Sequence, residues 1–369
     1  MDYSKRYVEL LSVFTSDKEF MLPDANIVVK HFSYQSKIPQ TGSFIKTDSL
    51  IKENTEFTYP VFFPKQENQF SKAILLLHGL NERNWNKYLT WAEFLCSTTG
   101  KPVILFPIAF HMNRSPLSWT NPRTLKPVLD LRKKLTDNDR SLSFANLALS
   151  ERITENPFRF YNSGRQSLDD ISNLLIQIKS GQHAGFTENT GIDVFAYSIG
   201  AFLSQIAFMG DTKGLFAESK LFMFCGGSIF SSMFGESRSI MDRTAFEKLF
   251  QFYKNEFSSS SENENMRDAA LESFLTMIAP ERNTEKRQNF FTKMGDRLKG
   301  ISMFQDKVIP YSGVIQALGQ ECAASHISLL DFPYRYEHEQ PFPVSEAHKP
   351  ELINRSFLQV FNAAAGFLA

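Results

Sequence analysis

Gly191-Ile192-Asp193-Val194-Phe195-Ala196-Tyr197-Ser198-Ile199-Gly200 is the stretch from which the rest of the chain can be read. Residues 192–196, apolar apart from Asp193, have the character of a short buried strand. A small-x-Ser-x-Gly turn follows at 196–200. Ile199, Phe202, Leu203 and Ile206 then recur at helical spacing. Strand, serine turn and helix in that order are the context of a nucleophile elbow. So tight a turn needs nearly bare residues two places before and two places after the serine. Ala196 and Gly200 supply them, with Ala196 where glycine is usual. The helix N-terminus behind Ser198 would offer backbone N–H groups and a partial positive charge to an anion.

Outward from this stretch, strands alternate with helices. Residues 26–35 and 55–63 read as two strands, an antiparallel pair at a sheet edge. Residues 72–78 are almost continuously apolar, as in a strand buried on both faces, and run into His78-Gly79-Leu80. A helix is expected from about Asn84, closing at Gly100, and the next strand at 101–110. Ser167-Leu168-Asp169-Asp170 has the form of a capping box opening a helix that Gly181 ends. Further strands are expected at 220–225, 300–304 and 326–332, with a terminal helix from Glu346. The alternation predicts an α/β protein with a mostly parallel, doubly wound sheet flanked by helices.

Two stretches break the rhythm. Residues 112–154 hold proline, charged blocks and no stable period, and read as an insertion after the fourth strand. Residues 231–296, rich in Phe and charge and broken by a polar stretch at 258–265, read as a helical lid insertion. Residues 1–111, 155–230 and 297–369 are then the core. Phe in the lid suggests an apolar acyl or aryl pocket.

Composition narrows the function classes. Lys plus Arg and Asp plus Glu both number 40 in 369 residues, which argues against a nucleic-acid partner. Phe occurs 36 times, which suits a large core or an apolar cavity. The 3 cysteines, Cys96, Cys225 and Cys322, are scattered and read as buried thiols rather than a zinc site or disulfide frame. The apolar run at 8–14 is short and contains Glu9, unlike a signal peptide. With no run of ~18 apolar residues to span a membrane, a cytoplasmic location is expected. No nucleotide-binding glycine motif occurs, and neither cofactor nor metal is called for.

An activated serine needs a base, and the base an orienting acid. Functional groups in an open parallel sheet gather at the carboxyl ends of its strands. Asp306 follows the strand at 300–304, and His338 lies past the last strand, so both fit the order Ser, Asp, His. Asp306 could instead cap the helix near Pro310. Asp331 is the alternative acid, and His326 and His348 compete with His338. The N–H groups of Leu80 and Ile199 are the expected oxyanion hole, with Gly79 allowing close approach and His78 structural. Tyr197, His111, Arg114 and Trp119 are candidate substrate contacts, and Glu82 and Arg83 could line the cleft or cap a helix.

These pieces together resemble the α/β-hydrolase superfamily, in what reads as a bacterial branch. The matching motifs are Leu-Leu-His-Gly at 76–79, Ala-Tyr-Ser-Ile-Gly at 196–200, Gln-Asp-Lys-Val-Ile-Pro at 305–310 and His-Glu-x-Pro-Phe at 338–342. The resemblance implies an eight-stranded sheet with a lid after the sixth strand. It also implies Ser198 as nucleophile, His338 as base and Asp306 as acid. The expected activity is that of a serine hydrolase cleaving a carboxylic ester on a small acyl substrate, with no obligate protein partner. The alternatives are an acyltransferase and a non-catalytic ligand-binding protein that kept the fold.

Overall fold

Alternate residues of the central strands face two apolar layers, and this makes the sheet a wall between two cores. On β4 (Phe70–Leu77), Ala73, Leu75 and Leu77 join one core, while Ile74 and Leu76 join the other. On β6 (Phe186–Tyr197), Val194 and Ala196 face the first core, and Phe195 and Tyr197 the second.

The computed structural model describes all residues except 1, 16–17, 23, 40–45, 66–68, 258–267 and 345–348. The other strands are β1 (Phe20–Met21), β2 (Ile27–Gln35), β3 (Glu56–Pro64), β5 (Val103–Leu105), β7 (Leu221–Phe224), β8 (Leu298–Met303) and β9 (Ile327–Leu330). They form one sheet of 9 strands in the order β1-β2-β3-β5-β4-β6-β7-β8-β9. β1, β2 and β3 pair antiparallel, β3 runs antiparallel to β5, and every pairing from β5 to β9 is parallel. The expected α/β class and mostly parallel doubly wound sheet are present. The strand beyond the expected eight is the two-residue edge strand β1.

The helices are α1 (Tyr3–Val13), α2 (Lys52–Thr55), α3 (Asn86–Thr99), α4 (Pro122–Leu135), α5 (Leu147–Glu155), α6 (Phe158–Lys179) and α7 (Ile199–Met209). They continue with α8 (Arg243–Gln251), α9 (Ala269–Thr276), α10 (Thr284–Met294), α11 (Tyr311–Leu318), α12 (Gln320–His326) and α13 (Pro350–Leu368). Tyr3 of α1, Trp91 of α3 and Phe357 and Phe361 of α13 cover one face of the sheet; α6 and α7 cover the other. β5 and β6 lie on opposite sides of β4. The strand order therefore reverses at β4, and a crevice opens at the carboxyl ends of β4 and β6.

Several local expectations are corrected. The capping box at Ser167–Asp170 lies within α6, which already begins at Phe158. Ser167 Oγ instead accepts from Ala109 N–H at 2.9 Å and donates to the Ser163 carbonyl at 2.7 Å. Residues 112–154 contain α4 and α5, and Leu125, Leu129, Leu142 and Leu147 form a small core there. Between 231 and 296 lie α8, α9 and α10, while the polar stretch 258–265 lies outside the described residues. The two stretches meet through Arg132, whose Nε and Nη2 donate to Asp242 at 2.5 and 2.8 Å. β5 covers only part of 101–110, and His326 closes α12 rather than opening β9. Asp331 falls just after β9, and Glu346 and His348 lie outside the described residues. Among the described residues no helix is long and apolar enough to cross a membrane.

Candidate active site

The turn from β6 to α7 holds Ser198 at φ 56° and ψ −122°, a region that side chains seldom occupy. Ser198 N–H donates to the Phe224 carbonyl of β7 at 3.2 Å, which fixes the turn against the neighbouring strand. A methyl group on Gly200 would lie 2.7 Å from the Leu77 carbonyl oxygen and 2.9 Å from that of His78. Both are backbone atoms, so nothing can move aside cheaply. This is why the position two after the serine is glycine.

From the other side of the crevice His338 meets this serine. Ser198 Oγ is 2.7 Å from His338 Nε2, and His338 Nδ1 is 2.7 Å from Asp306 Oδ2. The other Asp306 oxygen accepts from the N–H groups of Val308 and Ile309, both at 2.9 Å. The two readings of Asp306, turn cap and partner of the histidine, hold together because they use different oxygens. All three side chains are buried. With Nδ1–H directed at a carboxylate, Nε2 presents its lone pair to the Ser198 hydroxyl and can take its proton. Asp331 is occupied elsewhere, accepting from Gln305 Nε2 and Tyr336 O–H, both at 2.9 Å.

Tyr197 is a correction. It was a candidate substrate contact, yet it is buried on the opposite face of β6. Its hydroxyl donates to the His338 carbonyl, and its ring stacks on the imidazole with centroids 5.7 Å apart. Lys87 Nζ lies 4.6 Å from the same ring and donates to the Glu339 carbonyl at 2.8 Å. Side chains of β6 and α3 thus hold the loop that carries His338.

The N–H groups of Leu80 and Ile199 have no acceptor among the described residues. Both residues line an apolar cavity of about 50 Å³, with Phe160, Phe202 and Phe274 among its walls. Phe274 and Ala270 are the contribution of the Phe-rich 231–296 stretch; Phe252 and Phe257 pack against Phe158 instead. His78 is structural: Nδ1 donates to the Gly79 carbonyl at 2.8 Å and Nε2 accepts from Ile108 N–H at 2.9 Å. Burial pushes its imidazole well below the usual range.

His111 lines the cavity, its Nδ1 donating to the Ala109 carbonyl at 2.9 Å. Its Nε2 is buried with no partner among the described residues, and burial lowers its pKa to about 3. Arg114, another candidate contact, lies outside the described cavities. It is fully buried, with Nη2 on Asp170 at 2.8 Å and Nη1 on the Pro107 carbonyl at 3.1 Å. An unbalanced cation there would be costly, so the pair serves the core. Trp119 lines an adjoining cavity of about 40 Å³ together with Arg83, Arg152 and Arg159. Arg152 and Arg159 escaped the sequence reading because they converge only through the packing of α5 and α6. Glu82 is taken up by Lys87, in an ion pair, and by the Tyr88 hydroxyl at 3.1 Å. Among the described residues no cluster of His, Cys, Asp and Glu could hold a metal ion.

Solved structures with this architecture include the esterase LipW from Mycobacterium marinum. It matches at a TM-score of 0.50 and 12% identity, covering 99% of this chain and 87% of that one. Vibralactone Cyclase matches at a TM-score of 0.50 and 11% identity, over 100% of this chain and 86% of that one. At such identities the likeness shows the fold, the α/β-hydrolase arrangement, and nothing of the chemistry. No curated protein matches the sequence. A family model described as a family of unknown function, DUF6051, matches residues 40–369.

Proposed function

The chain belongs to the DUF6051 family, and we propose that it is a serine hydrolase cleaving a carboxylic ester of a small acyl substrate. The observation that carries this reading is the run of hydrogen bonds from Ser198 Oγ to His338 Nε2 and from His338 Nδ1 to Asp306, 2.7 Å at each step. In this mechanism His338 takes the Ser198 proton as Oγ attacks the acyl carbonyl carbon. The carbonyl oxygen gains charge at that moment, and the free N–H groups of Leu80 and Ile199 receive it; a lost donor of this kind elsewhere costs about 3 kcal/mol. His338 then passes its proton to the leaving alcohol. Water, deprotonated by the same imidazole, releases the acyl group and restores Ser198. Asp306 keeps Nδ1 protonated and stabilises the imidazolium.

The strained backbone at Ser198 supports the proposal, since such strain gathers where function demands it. The esterase fold of LipW is in keeping with it by analogy only. Labelling with a fluorophosphonate probe, mapped by mass spectrometry, tests it. Stoichiometric modification of Ser198, lost in Ser198→Ala and His338→Ala, is the expected result. A folded protein that the probe leaves unmodified would refute an activated serine.

A further inference from the structure

The wall of the candidate site beyond Leu80 is built for something other than hydrocarbon. Leu80, His111, Phe160 and Ser163 are shared by the apolar cavity and the adjoining one. Past them stand Arg83, Arg152 and Arg159. Arg152 and Arg159 are matched: Asp48 accepts from Arg152 at 3.0 and 3.1 Å and from Arg159 at 2.9 Å, and Glu155 also pairs with Arg159.

Arg83 has no carboxylate among the described residues. Its Nη2 donates to Asn81 Oδ1 at 2.6 Å, while Nε and Nη1 are buried without an acceptor among those residues. Its guanidinium and that of Arg152 both lie against Trp119, 5.6 and 4.4 Å from the ring centroid. Asn81 is itself pinned, donating to the Ala145 and Ser239 carbonyls at 2.8 and 2.7 Å. The charge is therefore held in place rather than free to turn to solvent. Leaving such donors unmet is expensive, and a carboxylate is the partner that meets them best.

His111 adds a second, opposite demand. Because Nδ1–H is given to Ala109, the buried Nε2 offers only a lone pair, and it needs a donor. An aliphatic acyl chain would leave Arg83 and His111 both unmet.

The position of the cavity says which half of an ester enters it. The leaving group must lie within reach of His338, and the residues flanking that histidine, Glu337 and Glu339, line a larger cleft of about 670 Å³ that meets the smaller cavity at Leu80, Asn81, Arg83 and Trp119. Among the described residues none of the His338 loop lines the two small cavities, whereas Leu80 borders both and Ile199 the first. The acyl half belongs there.

We propose that the substrate is an ester whose short acyl group ends in a carboxylate, bound by Arg83, and carries a hydroxyl that donates to His111. The proposal rests on the serine hydrolase reading for the orientation of the ester, and it is tested so that the two can fail separately. On the Ser198→Ala chain, calorimetric titrations compare monomethyl 3-hydroxyglutarate, monomethyl glutarate and methyl butyrate. The expected order of affinity is that sequence, with glutarate binding roughly ten- to a hundred-fold tighter than butyrate, the range for charge-assisted hydrogen bonds. Equal or tighter binding of butyrate would overturn the carboxylate subsite, and hydroxyglutarate binding no better than glutarate would overturn the role of His111. On the active chain, the ratio of kcat/KM for 4-nitrophenyl hydrogen glutarate over 4-nitrophenyl butyrate is compared with that of Arg83→Gln. The ratio is expected to fall about ten-fold or more in the variant and to recover in part in Arg83→Lys. An unchanged ratio would refute the assignment of Arg83. Tight glutarate binding by a chain whose Ser198 the fluorophosphonate does not label would keep the subsite and dismiss the hydrolase.

Discussion

Ser198 is held at a backbone angle that only glycine adopts without strain, so at this residue stability and function pull apart. Ser198→Gly is expected to unfold at higher urea than the parent, by about 1 kcal/mol, while losing all probe labelling. Ser198→Ala keeps the Cβ and with it the strain, and should show no such gain. A glycine variant no more stable than the alanine variant would mean that the turn is relaxed. Asp306 offers a second residue-scale prediction. Asn in its place can still accept from Val308 and Ile309 N–H, but its amide would face His338 Nδ1 with a donor and impose the wrong tautomer. Turnover is expected to fall roughly 10⁴-fold with the fold intact, as removal of the acid does in other triads. Turnover close to the parent's in Asp306→Asn would remove Asp306 from the mechanism. The sequence around Asp306 was compatible with both a cap and an acid, since each role uses a different carboxylate oxygen. Arg83 was harder. Whether an arginine after a strand is solvated or enclosed depends on residues such as Trp119 and Arg152, which no local pattern brings near it.

Among elements, those whose patterns reflect burial on both faces were legible, and those that serve one another were not. The runs behind β4, β6 and β7 are continuous because helices cover both sides of the sheet. The start of α6 was missed because Ser167 and Asp170, which look like an N-terminus, are used within the helix to bind Ala109 and Arg114. α4 went unseen since its outward residues mix basic side chains with exposed Val128, Leu131 and Leu135, which blurs the helical period, and only Leu125, Leu129 and Arg132 turn inward. The link between β6 and the His338 loop was likewise invisible, because Tyr197 reaches a carbonyl 141 residues further along the chain. That link carries a prediction. Tyr197→Phe removes the hydroxyl that holds the His338 carbonyl and leaves a buried acceptor unmet, a loss of about 1–3 kcal/mol. The loop then holds His338 less firmly, so kcat should fall about ten-fold while KM changes little. An effect on KM alone would return Tyr197 to substrate binding.

Across the whole molecule the buried histidines set how the fold responds to acid. Burial lowers the pKa of His78, His111 and His183, in the case of His111 to about 3. The unfolded chain, with histidines near 6.5, therefore takes up protons that the folded chain refuses. Stability is complete above about pH 6.5 and declines as pH falls through the range below it, by at most about 1.4 kcal/mol per pH unit for each histidine. Asp169 and Asp170 act in the opposite sense, because burial raises their carboxyls, but only nearer the carboxylate range. Between roughly pH 6.5 and 5 the histidines dominate. His183 isolates the effect, since it lies away from Ser198 with Nε2 2.6 Å from the Tyr59 hydroxyl and Nδ1 on the Ala184 carbonyl at 2.8 Å. In His183→Gln an amide oxygen can accept from Tyr59 without titrating. Urea midpoints across this window should fall with acid in the parent and fall less steeply in the variant. Identical slopes would show that His183 is protonated in the folded chain as readily as in the unfolded one, and that its burial leaves its charge unaffected.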